Sequence, residues 1–246
     1  MKTKSSLSIM IGILGTLLLM FLPCSCNQGI GSNPIIYPFA FSANVDNPFF
    51  PLVPGRTLNY YVGHLSTALE DISVTTTDDI KTIIRVPCRV VHHVGMAYSK
   101  TGMTIAEDTW KWYSQDSDGN VWYFGRDTTR YDETGTPSKE GSWEAGVDGA
   151  KPGIVMLAAP ALHINKMYRE GYLKGVAEDI AQIISVNANA SSAFVDYANC
   201  VEIAVSSDIE PGVPEHRFYA SGVGEVRTEM YGGVDNTEVL FNITNE

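Results

Sequence analysis

The sequence predicts an all-β protein built from antiparallel meanders, with at most one or two short helices. Apolar and polar residues alternate with a period of two along much of the chain, as in strands that have one buried face. Turn-forming residues recur every eight to twelve positions, a spacing typical of a meander. Segments of the second half also resemble segments of the first at offsets of 105–112 residues. We therefore expect two related halves that form a curved sheet or a partly open barrel.

The first 26 residues have the pattern of a bacterial lipoprotein signal peptide. Lys2 and Lys4 precede a mostly apolar run from Leu7 to Leu22. A run of ~16 residues is shorter than the ~20 that a membrane-spanning helix needs. The run ends just before Cys26, which we predict to be lipidated. The protein is then held on the cell envelope and faces the periplasm or the exterior, or it is secreted if it is not lipidated.

The remainder of the chain divides into a tether and one domain. Residues 27–45 are rich in Gly, Pro, Ser and Asn, which suits a flexible spacer. We expect residues 46–246 to form a single β-rich domain with pseudo-repeats at about 47–130 and 160–232. Within the second repeat, the stretch from Ile180 to Val186 fits both a strand and a helical stripe, and the repeat favours the strand.

The charge balance restricts the partners. Removing the signal peptide removes two lysines and no acid, so the net charge of −11 becomes −13. An acidic surface argues against nucleic acid and anionic lipid as partners. The sequence contains no phosphate-cradling glycine loop and no dinucleotide fingerprint. We therefore predict a monomer without a cofactor, with membrane contact only through the lipid anchor.

Two cysteines remain outside the signal peptide. Cys88 and Cys200 each lie in a strand-like run, at matching places in the two repeats. In an oxidising compartment an even pair of cysteines indicates one disulfide. The alternative is two buried thiols that never meet.

The strongest functional signal lies between Glu107 and Met156, which contains all four tryptophans. Two strands in this stretch flank the loop 115–120 and are predicted to form a hairpin. We expect the aromatic residues of this stretch to line a concavity. Trp143, which lies in a loop that contains Gly141, Gly146 and Gly149, is expected at its mouth. The concavity would bind an apolar or saccharide-like ligand or a protein partner. The predicted ligand-binding residues are Trp110, Trp112, Trp122, Tyr123 and Trp143.

Three carboxylates flank Trp143 in that glycine-rich loop, namely Glu140, Glu144 and Asp148. Paired carboxylates beside an aromatic platform suit sugar hydrolysis, so an acid/base hydrolase is the alternative function. A further alternative is that Trp143 plugs the end of a sheet. The protein would then be a structural scaffold without a small-molecule site.

The hairpin loop also carries a partial metal-binding pattern. Asp116, Asp118 and Asn120 have the spacing of the first three ligands of a calcium loop. The Gly and the final Glu of that loop are missing from their positions. A turn that uses these residues for its geometry is the alternative, and we predict no metal.

Three segments resemble a family of bacterial secreted or lipid-anchored β-rich proteins. They run from Trp112 to Thr128, from Glu140 to Ile154 and from Glu215 to Tyr219. The resemblance covers most of residues 46–230, and the central Glu-Gly-Ser-Trp-Glu-Ala-Gly-Val-Asp-Gly motif is distinctive. It implies an envelope location and a β-rich fold, and it implies no activity. Together with the signal peptide, it supports an envelope lipoprotein. Our leading interpretation of the aromatic stretch is a non-catalytic binding module.

Overall fold

The structure is a computed structural model that describes residues 35–64, 67–99, 102–209, 212, 214–230 and 237–245. The predicted signal peptide, Cys26 and the first part of the tether lie outside the described residues. Within the described ranges, no helix is both long and apolar enough to cross a bilayer. The helices there are two short 3-10 turns, Pro38–Ala40 and Pro160–His163.

Antiparallel strands form nearly all of the regular structure, which confirms the predicted all-β class. The first six are β1 (Phe41–Ser42), β2 (Arg56–His64), β3 (Thr67–Ile83), β4 (Val86–Ser99), β5 (Gly102–Asp116) and β6 (Val121–Tyr131). Five short strands follow, β7 (Pro137–Ser138), β8 (Trp143–Glu144), β9 (Lys151–Met156), β10 (Met167–Arg169) and β11 (Gly171–Tyr172). The last five are β12 (Asp179–Ser191), β13 (Asp196–Ser207), β14 (Glu215–Ala220), β15 (Gly224–Met230) and β16 (Glu238–Asn245).

The strands form one sheet that curls into a nearly closed barrel. Its order is β10-β12-β13-β14-β15-β16-β2-β3-β4-β5-β6-β9-β11, with β1, β7 and β8 added at the side. The two ends of this order, β10 and β11, are separated in the chain by one residue, Glu170. The chain itself therefore brings the two ends of the sheet together. We call this junction the seam.

Each half of the barrel contains a four-stranded meander, β3–β6 in the first and β12–β15 in the second. The stretch from Ile180 to Val186 lies within β12 and is a strand. Both meanders have a register shift at the same place. Phe124 of β6 is the extra residue opposite the step from Trp112 to Tyr113, and Val226 of β15 is the extra residue opposite the step from Phe218 to Tyr219. Because the extra residue lies on the partner strand, side chains continue to alternate along β5 and β14, and the two tyrosines have equivalent positions in the two halves.

The apolar core consists of two clusters. The larger contains Cys88, and the smaller contains Cys200. Both thiols are free and buried. The predicted disulfide is therefore wrong, because matching strands of the two halves carry their cysteines into separate parts of the core. Burial raises the pKa of the Cys88 thiol to about 12, so it stays protonated and unreactive at neutral pH.

The seam closes only because small residues line it. Gly171 pairs with Pro152 of β9, and a side chain at Gly171 would place its Cβ 2.6 Å from the Trp143 ring. A Cβ at Gly153 would collide with the backbone of Arg169 and Glu170. The backbone of the seam thus passes directly over β9 and Trp143.

Candidate functional site

A cavity of about 240 Å³ lies inside the barrel between the two meanders. It holds on the order of eight water molecules at roughly 30 Å³ each. Both halves contribute aromatic, acidic and basic side chains to it. The polar residues that line it are Tyr60, His93, Lys111, Tyr113, Tyr123, Arg126, Glu170, Asp179, Glu215, Arg217, Tyr219, Glu225 and Glu238.

The first meander directs Lys111 and Tyr113 into the cavity because side chains alternate along β5. The tryptophans at positions 110 and 112 point to the opposite face. Across the hairpin, Lys111 is paired with Arg126, and Tyr113 stacks on Tyr123 with ring centroids 5.0 Å apart. One wall of the cavity is therefore basic and aromatic.

The second meander places Arg217 and Tyr219 at the equivalent positions of β14. Arg217 donates hydrogen bonds to both carboxylate oxygens of Glu170, at 3.0 and 3.2 Å, and a further one to Glu215. Glu170 is the single residue between β10 and β11. The seam therefore supplies one of the carboxylates of the site.

Several polar groups of the cavity have no partner within the described part of the chain. The hydroxyls of Tyr113, Tyr123 and Tyr219 form no hydrogen bond there, and neither do the carboxylates of Asp179 and Glu238. These atoms face the open space of the cavity, where water or a ligand can pair with them. A polar group that is buried and left unpaired loses about 1–3 kcal/mol of solvation. The arrangement is therefore that of a site with free donors and acceptors.

The buried setting changes the protonation of this site. Burial, reinforced by the charge of Glu225, raises the pKa of Glu238 to about 8. Burial also raises the pKa of Glu170 to about 7, although Arg217 opposes the shift. On the basic wall, burial lowers the pKa of Lys111, and burial together with Lys111 lowers the pKa of His93 to about 3. His93 is therefore neutral at neutral pH, and its Nδ1 accepts a 3.3 Å hydrogen bond from the Lys111 ammonium group.

One end of the cavity is covered by the loop from Val45 to Leu52, which we call the cover loop. Val45 and Leu52 form an isolated bridge that closes the loop. The ring of Phe50 lies 5.2 Å from that of Tyr113 and 6.1 Å from that of Tyr219. Phe50 thus joins the two equivalent tyrosines of the halves above the cavity.

Of the five predicted aromatic residues, only Tyr123 lines the cavity. Trp112 and Trp122 are buried on the outer face of the sheet. Lys81 Nζ lies over the Trp112 ring, and Phe41 packs against the Trp122 ring. Trp110 is 37% exposed and stacks on His92, with ring centroids 3.9 Å apart.

Trp143 is 5% exposed and does not line the cavity. Its ring forms an edge-to-face pair with Tyr123, with ring centroids 5.2 Å apart, and lies against Gly171 of the seam. The flanking carboxylates do not reach the cavity either. Glu140 and Asp148 are exposed, and Glu144 forms a 2.6 Å ion pair with Lys81.

The residues with calcium-loop spacing form the turn between β5 and β6. The Asp116 carboxylate accepts hydrogen bonds from the backbone N–H groups of Asp118 and Asn120, and from the side chains of Asn120 and Trp122. All of its bonds are therefore to donors of its own hairpin. Among the described residues, no group of three or more His, Cys, Asp or Glu side chains is arranged to hold a metal ion.

Sequence reasoning missed the charged residues of the site. Lys111 alternates with the tryptophans of β5, and Glu215, Arg217 and Tyr219 alternate along β14. Repeated polar residues on one face of two matching strands were the available signal. The prediction instead placed the tryptophans of the other face of β5 in the binding site.

No family model matches the sequence, and no curated protein matches it. Two crystal structures are similar to the barrel. One is a proposed exported protein with a YmcC-like fold from Bacteroides fragilis, 13% identical, with a TM-score of 0.40, 80% of this chain covered and 99% of the other. The second is a proposed lipoprotein from Parabacteroides distasonis, 11% identical, with a TM-score of 0.40, 80% of this chain covered and 98% of the other.

Proposed function

We propose that this protein is a non-catalytic binding protein of the cell envelope that holds a small, polar, saccharide-like molecule inside its barrel. One observation carries the proposal. The cavity is lined by tyrosine hydroxyls and carboxylates that have no partner within the described chain. Such groups lose free energy on burial unless a ligand or water pairs with them.

The size and lining of the cavity define the class of ligand. Drug-sized ligands occupy pockets of roughly 300–1,000 Å³, and this cavity of about 240 Å³ is smaller. It suits a single sugar ring or a polyol of similar length. Hydroxyl groups on the ligand would pair with Tyr113, Tyr123 and Tyr219, while the tyrosine rings cover its apolar faces. The polar lining favours this ligand over an apolar one.

The envelope location is part of the proposal and rests on the signal sequence. Cys26→Ser is expected to remove lipid labelling and to release the protein from the membrane fraction, because the modified thiol is lost. Metabolic labelling with a fatty acid and membrane fractionation measure both effects. Cys24→Ser is the matched control and should keep the label. Labelling that persists in Cys26→Ser, or a wild type that is never labelled, would contradict the anchor.

Binding is tested with four probes built on a six-carbon chain: the neutral D-glucose and sorbitol, the cation N-methylglucamine and the anion gluconate. Ligand-observed NMR and calorimetry with the full chain are expected to detect binding of at least one of them. Tyr113→Phe with Tyr219→Phe removes two hydroxyls and keeps both rings. At about 0.5–1.5 kcal/mol for each neutral hydrogen bond, the double variant should weaken binding by roughly 5- to 100-fold.

Tyr98→Phe is the control for this test, since Tyr98 is exposed and its hydroxyl bonds to Asp71 at 2.6 Å, outside the cavity. It should bind the probes as the wild type does. If no probe binds the wild type, or if the double variant binds as tightly as the wild type, the cavity is not a site of this kind. That result would favour the scaffold interpretation.

A further inference from the structure

The charges that line the cavity do not balance. Five carboxylates face it, and the basic groups are Lys111, Arg126 and Arg217, because His93 is neutral. Arg217 is already committed to Glu170 and Glu215. The remaining carboxyl groups, Asp179, Glu225 and Glu238, outnumber the remaining cations, so they cannot all be ionised without a surplus of negative charge in the cavity. A charge buried without compensation is costly, and an opposite charge on a ligand removes that cost.

Glu238 is the least compensated of these carboxylates. It lies on β16 between its strand partners Thr228 and Val62, and it forms no hydrogen bond or ion pair with any described residue. Each element that packs against it contributes a titratable or charged group. These are Glu225 on β15, Glu215 and Arg217 on β14, Lys111 on β5 and Tyr60 on β2.

From this arrangement we propose that the ligand is a small polyhydroxylated amine, such as an amino sugar or an amino polyol, whose ammonium group pairs with Glu238. The inference rests on the proposed function and narrows it to one class of ligand. The tyrosine hydroxyls pair with the hydroxyls of the ligand, and the tyrosine rings favour a cation beside them.

An organic cation fits this cavity better than a metal ion does. A metal ion needs several ligand atoms at one point. In the described part of the chain, the acidic and histidine side chains form no such group of three or more. The carboxylates are instead distributed over several strands around a space as large as a monosaccharide.

Binding of a cation should release protons. Glu238, with a pKa of about 8, is roughly three-quarters protonated at about pH 7.5. The ammonium group favours the ionised carboxylate, so its binding lowers that pKa and expels most of a proton. For the same reason, the affinity should rise by roughly 10- to 25-fold between about pH 6.5 and 8.5, as the ionised fraction of Glu238 increases. The ammonium group of N-methylglucamine, a simple alkylamine, keeps its own proton over most of this range.

The test compares N-methylglucamine with sorbitol, which has the same polyol chain without the amine. Calorimetry of the full chain in two buffers of different ionisation enthalpy gives both the affinity and the protons released. N-methylglucamine should bind the wild type at least about tenfold more tightly than sorbitol at pH 8. Glu238→Gln should abolish this preference together with the release of protons. Glu133→Gln, on an exposed turn, removes the same charge outside the cavity and should change neither.

Two results would overturn the inference. If sorbitol, D-glucose or gluconate binds as tightly as N-methylglucamine, the cavity binds polyols without selecting a cation. The proposed function would then stand without this refinement. If N-methylglucamine binds equally well to Glu238→Gln and releases no protons, its attraction comes from the acidic surface. In that case, added salt should abolish the binding of N-methylglucamine.

Discussion

Trp143→Ala is expected to lower the free energy of unfolding by about 3–5 kcal/mol, as large-to-small changes of a buried aromatic residue do. The indole is 5% exposed and packs between Tyr123 and the Gly171 backbone. Its removal leaves a void directly beneath the seam. Because Gly171 has no side chain, no neighbouring group on β11 can collapse into the space. Equilibrium unfolding in urea measures the loss.

Trp110→Ala is the matched control, since it removes the same side chain from a position that is 37% exposed. The variant loses the stacking on His92 and the buried part of the ring, so we expect a smaller change of about 1–2 kcal/mol. A Trp143→Ala variant as stable as Trp110→Ala would contradict the view that the ring supports the seam. The sequence had suggested the mouth of the concavity for Trp143, where truncation would affect binding rather than stability.

Arg217→Met is expected to destabilise the protein by about 3–5 kcal/mol at pH 8, because removing one partner of a buried ion pair leaves the other charge uncompensated. Two carboxylates, Glu170 and Glu215, lose their donor in this variant. In the wild type, the nearby Arg217 holds the pKa of Glu215 below its usual value. Without the guanidinium, burial raises the pKa of both carboxyls in the folded state.

The raised pKa values of Glu170 and Glu215 in this variant determine how its loss of stability depends on pH. A group whose pKa is raised in the folded state stabilises the fold below its unfolded pKa, and that contribution is lost as the pH rises. Arg217→Met should therefore be closest to the wild type near pH 5 and furthest from it at pH 8. Urea midpoints across this range measure the difference. Adding Glu170→Gln should restore part of the stability at pH 8. If the double variant is no more stable than Arg217→Met, the uncompensated Glu170 charge is not the cause.

The fold class could be predicted because its signals are local. Alternation and turn residues specify each strand, and they correctly favoured a strand for the stretch from Ile180 to Val186. The closure of the sheet was predicted only as a partly open barrel. Closure depends on Gly153 and Gly171, where a side chain would collide with the backbone of the seam or with the Trp143 ring. These contacts form between parts of the folded sheet, so local sequence patterns do not predict them.

The site could not be predicted as well, because alternation separates the two faces of a strand without identifying the inner one. Trp112 was taken for the lining of the concavity, whereas its neighbours Lys111 and Tyr113 face the cavity. The outer face of β5 is itself buried beneath other parts of the chain, including Lys81. A strand buried on both faces offers no polar side that would identify the surface. The disulfide prediction failed for a related reason, since matching strands in two halves need not lie side by side.

The cover loop also has a mechanical consequence. In a chain anchored at Cys26, a pulling force on the domain passes along the tether and reaches the barrel at β1, directly before this loop. Before this loop, the described residues form the 3-10 turn Pro38–Ala40 and β1. β1 is held by two residue pairs with β5 and by the packing of Phe41 on Trp122 and Phe124. A pulling force on the lipid anchor would therefore act on β1 first and on the loop that covers the cavity next.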